Sequence, residues 1–307
     1  MSDRVLISGG TGLIGSRLVE SLRESHVPVR ILSRSAPTAQ QAPDAGVERL
    51  QWDGVQLPDA ALRECTSVVH LSGEPVFGGP FTAARRHRIA NSRIESTRSI
   101  AAALRAAPSS DRPASFVCAS AVGFYGSRGE EVLDESAGPG SGFLSEVCQQ
   151  WEAAAATAAE SLRVVSLRTG IVLARGAGAL PMMALPFRFG FGGRMGNGKQ
   201  WVPWIQIDDA VALIRSVLGN DALHGAVNVV SPNPVRNAEL STAIARTLHR
   251  PCMLPVPALA LRFALGSLSD ELLGSRRCTP SRMFDARFEF AHTEIESALA
   301  VELGRSA

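Results

Sequence analysis

The chain has 307 residues, of which 45% are apolar and 20% charged, and its formal net charge is only +2. A chain of this length and composition can bury a large α/β core, which excludes an intrinsically disordered protein. The small net charge gives no reason to expect nucleic acid or an anionic membrane surface as a partner.

The cysteines and the apolar runs exclude further kinds of protein. The five cysteines are scattered without a C-x-x-C pair and the histidines do not cluster, so the pattern predicts neither a disulfide framework nor a metal site. No apolar run approaches the roughly 20 residues that span a bilayer, and the first residues lack a basic-then-apolar leader. We therefore expect a cytoplasmic protein without membrane contact.

Strands and helices alternate along the first half of the chain. Short apolar strands are predicted at residues 4–8, 29–32, 47–51, 67–71, 115–119 and 163–167, with helices over 13–24, 82–106 and 144–161. Strands separated by helices of this length predict an α/β fold with a Rossmann-type doubly wound parallel sheet.

The order of elements changes after residue 173. Loops around a short helix are predicted over 176–203, followed by a helix after Asp208, a strand at 227–230, a helix over 237–248 and a mostly helical tail from 255. Asp208 and Asp209 are interpreted as helix-capping residues. We place a domain boundary near residue 174, between a dinucleotide-binding domain (1–174) and a smaller substrate-side and C-terminal region (175–307).

A glycine-rich turn lies between the first predicted strand and the first predicted helix. Its glycines fit G-x-G-x-x-G, a turn in which the backbone approaches a pyrophosphate and the helix N-terminus faces it. A P-loop is excluded because Ser16 stands where that motif needs lysine. A purely structural turn is the alternative. The residues predicted to contact the cofactor here are Gly9, Thr11, Gly12, Leu13, Ile14 and Gly15.

The end of the second strand indicates which dinucleotide is bound. A carboxylate about 20 residues past the glycines would accept hydrogen bonds from the ribose of NAD, whereas arginine there suits a 2′-phosphate. The sequence has Ser33 and Arg34 at this point and no carboxylate before Asp44. A guanidinium can bind phosphate through two hydrogen bonds, so the pattern favours NADP(H), with a solvated arginine as the alternative.

These motifs resemble the extended short-chain dehydrogenase/reductase superfamily over nearly the whole chain. The segments that carry the resemblance are the glycine turn, HLSGE at 70–74, SAVGFYG at 120–126, LRTGIVL at 167–173 and WIQIDD at 204–209. The sequences WEAA at 151–154, NGKQW at 197–201 and NVVSPNP at 228–234 are similar to one atypical branch, the small epimerase-family proteins with a C-terminal domain of unassigned function. The resemblance implies further cofactor contacts at Leu71, Ser72, Gly73, Arg93 and Val172, with a helix-surface charge as the alternative for Arg93.

The catalytic pair of that superfamily is missing. The resemblance implies Y-x-x-x-K on the helix after the fifth strand, but Tyr125 is the only tyrosine and Lys199 the only lysine, and neither has the spacing. Three interpretations of the catalytic chemistry remain open. Tyr125 acts with Ser120, or with Ala121 in the serine's place; Glu152 or Cys148, on the relevant helix, is the acid–base group; or the protein performs no efficient chemistry.

The function implied is an NADP(H)-binding oxidoreductase or epimerase/dehydratase-like enzyme. Its substrate would be a small polar molecule, with a nucleotide sugar as one candidate, held in part by Lys199, Gln200 and Trp201. The alternative is a catalytically silent NADPH-binding regulatory or sensor protein. The sequence leaves a homodimer open.

Overall fold

A computed structural model describes residues 4–35, 46–76, 79, 81–266 and 268–304. A parallel sheet of seven strands forms its centre, in the order β11-β7-β5-β4-β1-β2-β3. The strands are β1 Arg4–Ser8, β2 Val29–Ser33, β3 Val47–Gln51, β4 Cys65–His70, β5 Ser115–Ala121, β6 Val132–Leu133, β7 Arg163–Thr169, β8 Ile171–Leu173, β9 Trp201–Val202, β10 Trp204–Gln206, β11 Gly225–Val229, β12 Val235–Arg236 and β13 Arg277–Cys278. The short strands pair as β8–β10, β9–β12 and β6–β13.

The order of the strands reverses between β1 and β4. The chain builds β1, β2 and β3 outward in one direction, then returns to place β4, β5 and β7 on the other side of β1. Ligands of open parallel sheets bind outside the carboxyl ends of the strands at such a switch point. The glycine turn follows β1 directly and therefore lies there.

Helices cover both faces of the sheet. They are α1 Leu13–Glu24, α2 Ala83–Ala106, α3 Phe143–Ala156, α4 Ala179–Arg188, α5 Ile207–Gly219, α6 Asn237–Thr247, α7 Ala258–Leu265, α8 Leu268–Leu273, α9 Ser281–Asp285 and α10 Ile295–Leu303. Apolar residues of α1 and α5 pack on one face, and those of α2 and α3 on the other. This is the doubly wound α/β fold that the sequence predicted. Of the helices in the described ranges, none is long and apolar enough to cross a bilayer.

The C-terminal part has its own apolar cluster but shares the sheet. Helices α4, α6 and α10 pack together around Trp204, which is completely buried. The edge strand β11 nevertheless belongs to the central sheet, beside β7. The boundary near residue 174 stays a prediction, and the sheet itself extends across it.

Three details differ from the sequence-based expectations. The helix predicted over 144–161 ends at Ala156, because the next turns close with tighter i→i−3 bonds, such as Ala159 N–H to Ala156 O. The mostly helical tail includes β13. The expected capping by the paired aspartates is wrong: the Gln206 side chain caps α5, accepting from the Asp208 and Asp209 amides. Asp208 instead pairs with Arg17 at 2.8 Å.

Candidate cofactor site and its buried ion pair

The glycine turn packs against the main chain that follows β4. Gly9 has φ +74°, and a Cβ on it would stand 2.8 Å from the carbonyl carbon of Leu71 and 2.9 Å from the amide nitrogen of Ser72. A Cβ on Gly15 would stand 2.1 Å from the Gly9 oxygen. Only glycine fits at these two positions. The contact brings the turn and the 71–73 segment together, and cofactor contact at Leu71, Ser72 and Gly73 stays a prediction.

The N-terminus of α1 faces this junction. Gly12 is its N-cap residue, and within the described structure no side chain accepts a hydrogen bond from the first helical amides. The first turn, which begins with Leu13 and Ile14, contains no acidic residue. Free amides and the positive end of the helix dipole make this a site for an anion such as a pyrophosphate. Thr11 is exposed beside it.

Val172 lies near the same helix end. A Cβ on Gly178 would stand 2.8 Å from the Leu13 side chain and 3.9 Å from the Val172 oxygen. The exit of β8 therefore passes the start of α1, and contact between Val172 and the cofactor stays a prediction.

Ser33 and Arg34 end the second strand at the same edge of the sheet. The Arg34 side chain is exposed, and its carbonyl accepts from the Gln51 amide at 3.4 Å. Over the described ranges, no carboxylate pairs with the Arg34 guanidinium. A guanidinium in this position is available to an external anion. Asp44 lies outside the described residues.

Arg93 is the second cation of the site. Its guanidinium donates to the carbonyls of Glu74 (2.8 Å) and Ile89 (3.0 Å) and stands 5.2 Å from the centroid of the Trp151 ring. Burial lowers the pKa of Arg93. No carboxylate within the described structure forms an ion pair with it, although a partly buried cation normally needs one. An anionic ligand over Gly73 would supply that charge, since a Cβ there would stand 3.1 Å from the guanidinium carbon.

His70 connects the two strands at the switch point. Its ring nitrogens bond the Ser8 hydroxyl and, at 3.0 Å, the Ser96 hydroxyl of α2. Burial lowers the pKa of His70 to about 3, and the charge of Arg93 adds to the effect. The ring is therefore neutral and ties β1, β4 and α2 together beneath the site.

A buried ion pair lies at the carboxyl ends of β5 and β7. Glu152 of α3 accepts from Arg168 Nε and Nη2, both at 2.9 Å, and from the Ser120 hydroxyl at 2.6 Å. The side chains of Arg168 and Glu152 are 7% and 14% exposed. Burial alone would lower the pKa of Arg168, but hydrogen bonds with Glu152 outweigh it and raise the pKa. The two parallel contacts give this pair the bidentate geometry of an arginine–carboxylate ion pair.

Tyr125 belongs to the same network. Its hydroxyl donates to Asn228 Oδ1 at 2.7 Å and accepts from Arg168 Nη1 at 3.0 Å, and the residue is completely buried. Burial raises the pKa of Tyr125 above that of a free tyrosine. The catalytic role of Tyr125 stays a prediction, but in this geometry its hydroxyl joins the turn that follows β5 to β7 and β11. Burial likewise raises the pKa of Cys148, to about 11, with the Glu152 charge adding to it, which disfavours a reactive thiolate.

The three predicted substrate residues have different surroundings. Lys199 is exposed, whereas the buried Gln200 amide donates to the Met195 carbonyl at 3.1 Å. The Trp201 ring is flanked by the guanidinium carbons of Arg236 and Arg277, 4.3 and 4.7 Å from its centroid. Contact with a substrate stays a prediction for all three.

The sequence reasoning missed the partner of Glu152. Arg168 was visible as an arginine near the end of an otherwise mostly apolar strand, RVVSLRT, where a buried cation needs an anion. It also missed Asn228, which joins Tyr125 from 103 residues away. Only the fold brings those two together.

A glycine turn at the switch point of a doubly wound parallel sheet defines a Rossmann-type nucleotide-binding fold. The chain belongs to the NAD dependent epimerase/dehydratase family, whose model matches residues 5–230. A second model, described as a domain of unknown function (DUF1731), matches residues 256–301. This confirms the resemblance that the sequence motifs indicated.

Relatives match over nearly the full chain. The sequence is 36% identical over 302 residues to the chloroplastic epimerase family protein SDR39U1 homolog of Arabidopsis thaliana, covering 96% of this chain and 85% of the relative. It is 37% identical over 299 residues to epimerase family protein Mb2239 of Mycobacterium bovis, covering 96% of both. The crystal structure of human SDR39U1 (isoform 2) with NADPH superposes with a TM-score of 0.88 at 30% identity, covering 99% of this chain and 100% of the other.

Proposed function

We propose that this protein binds NADP(H) and is an oxidoreductase or epimerase/dehydratase-like enzyme acting on a small polar substrate in the cytoplasm. The observation that carries the cofactor choice is Arg34, an exposed guanidinium at the end of β2 where a carboxylate would select NAD. The NADPH in the crystal structure of the human relative supports the same choice.

The residues present fit such a dinucleotide. The amides at the Gly9–Gly15 turn and the start of α1 would hold the pyrophosphate, and Arg93, which no carboxylate of the described residues pairs with, would supply a positive charge. Arg34 and Ser33 would bind the 2′-phosphate. Bound NADPH supplies a hydride donor at the carboxyl edge of the sheet. Leu71, Ser72 and Val172 would shape the walls of this crevice through the close contacts described above.

The substrate would lie between that edge and the region after residue 173. Ser120 is the polar side chain at the end of β5, and Trp201 with Lys199 would line the opposite side. Arg236 is already paired with Glu130 at 2.8 Å, so Arg277, 4.7 Å from the centroid of the Trp201 ring, is the cation here that would meet a planar, negatively charged substrate such as a nucleotide sugar. A homodimer, left open by the sequence, is checked by light scattering.

The test of the cofactor choice is Arg34→Ala. NADPH affinity should fall about ten- to a hundredfold, because a charge-assisted phosphate contact is worth about 1.5–3 kcal/mol, whereas NADH affinity should stay within twofold. Arg98→Ala, which removes an exposed arginine of α2, is the matched control and should change neither. Equal losses for NADPH and NADH in Arg34→Ala would remove the basis for the NADP assignment.

A catalytically silent NADPH-binding protein is the second candidate. The missing Y-x-x-x-K pair and the buried, doubly bonded Tyr125 hydroxyl favour it. Absorbance of NADPH at saturating cofactor, followed over a panel of carbonyl compounds and nucleotide sugars, separates the two. Turnover of any member supports the enzyme, and tight binding with no turnover across the panel supports the silent protein.

A further inference from the structure

Glu152 occupies the place where the superfamily resemblance implies the lysine of Y-x-x-x-K. Cys148 and Glu152 are four residues apart on α3, so both face the sheet from the same side of the helix. In ordinary members the ammonium of that lysine lies beside the nicotinamide ribose. Here the position has the opposite charge, and Arg168 of β7 balances it.

The hydrogen bonds of this carboxylate leave it one open acceptor position. A carboxylate offers roughly four acceptor positions. Ser120 Oγ and Arg168 Nε use those of Oε1, whereas Oε2 accepts only Arg168 Nη2 among the described residues. The Ser120 hydrogen is committed to Glu152, so Ser120 has no donor left to offer. This end of the site therefore suits a ligand that presents hydroxyl donors.

We propose that Glu152 binds the nicotinamide ribose through its carboxylate, in place of the missing lysine, with Arg168 as the residue that positions it. The inference rests on the proposed NADP(H) binding. A ribose diol presents hydroxyl donors, one of which the open acceptor of Glu152 can take. The ion pair is neutral overall, so this end of the site lacks the net positive charge that a lysine would place beside the nicotinamide.

That neutrality has a measurable consequence. The oxidised nicotinamide ring is positively charged and the reduced ring is neutral, so an unbalanced cation nearby disfavours NADP⁺ relative to NADPH. Glu152→Gln keeps the shape of the side chain but leaves the Arg168 charge unbalanced. The affinity for NADP⁺ should then fall roughly tenfold more than that for NADPH, as expected for one charge at partly buried separations.

The experiment titrates three ligands against the full chain: NADP⁺, NADPH and 2′,5′-ADP, which lacks the nicotinamide half. In Glu152→Gln the binding of 2′,5′-ADP should stay within twofold of the original value. Glu152→Asp keeps the charge, so the ratio of NADP⁺ to NADPH affinity should stay within twofold, while both weaken relative to 2′,5′-ADP because the carboxylate is drawn back. Glu146→Gln, an exposed carboxylate on the same helix, is the control and should change nothing.

Three results would overturn the proposal. Unchanged binding of all three ligands in both Glu152 variants would show that the carboxylate does not reach the ribose. An equal loss for all three would assign Glu152 a purely structural role. If the original protein binds neither NADPH nor 2′,5′-ADP, the proposed function itself fails, and that outcome is visible before any variant is made.

Discussion

A single added methyl group, at Gly9, tests the contact between the glycine turn and the chain after β4. Replacing Gly9 by alanine adds a methyl group 2.8 Å from the Leu71 carbonyl carbon, a distance that Cβ atoms do not tolerate. The same change also forces alanine into a left-handed conformation at φ +74°. The two effects are separable, because Gly129 has φ +63° with no described heavy atom within 4 Å of where its Cβ would stand.

The expected magnitudes follow from these two environments. A left-handed residue other than glycine costs about 1–2 kcal/mol, which is the whole effect expected for Gly129→Ala. Gly9→Ala adds a steric cost of about 1–3 kcal/mol, because two main-chain segments must separate by several tenths of an ångström. For 307 residues the unfolding entropy is about 0.6 kcal/mol/K, so each kcal/mol lowers the Tm by about 1.5 °C.

Calorimetry should therefore show a Tm loss of about 2–3 °C for Gly129→Ala and about 3–8 °C for Gly9→Ala. NADPH affinity should fall at least about tenfold in Gly9→Ala alone, because the displaced amides no longer converge on the pyrophosphate. Equal Tm losses with unchanged NADPH binding in both variants would refute the view that this close approach builds the site.

Two further predictions concern buried groups. His70 titrates at about 3 when folded and near 6.5 when unfolded, so below pH 6.5 the unfolded chain binds the extra proton and stability falls with falling pH. Between pH 6.5 and about 5.5 the free energy of unfolding, measured with urea, should therefore fall by about 1 kcal/mol. An equally large fall in the His70→Gln variant would show that His70 is not its cause. Tyr125→Phe leaves Asn228 Oδ1 and Arg168 Nη1 without the phenol, so stability should fall by about 1–3 kcal/mol. NADPH binding should stay within twofold there, and a collapse of binding would place the hydroxyl on the cofactor.

The sheet and the glycine turn were predictable because their signals are local. An apolar strand such as β1, followed by G-x-G-x-x-G and a helix, is contained within 24 residues, and the helix bounds Leu13–Glu24 agree with the prediction. The position of Gly9 against Leu71 follows from the same motif, because a parallel sheet brings the ends of its strands to one edge.

The ion-pair network could not be predicted in the same way. Glu152 was recognised only as one candidate acid–base group, since nothing local showed that Arg168 would hold it at two points. The membership of β11 in the central sheet, next to β7, depends on a crossover that passes through α5. Such contacts are decided by packing between distant segments, which periodicity does not encode.

The buried carboxylate of Asp209, at the start of α5, accepts the main-chain amides of Ala291 and His292, each at 2.8 Å. It thus joins the segment matched by the second family model to the nucleotide-binding core. A chain truncated before residue 256 would lose both of these main-chain donors to the Asp209 carboxylate, and such a loss costs stability wherever the carboxylate stays shielded from water. The core therefore depends on the C-terminal segment for the hydrogen bonds of this side chain, and cleaving that segment off would leave them unmade.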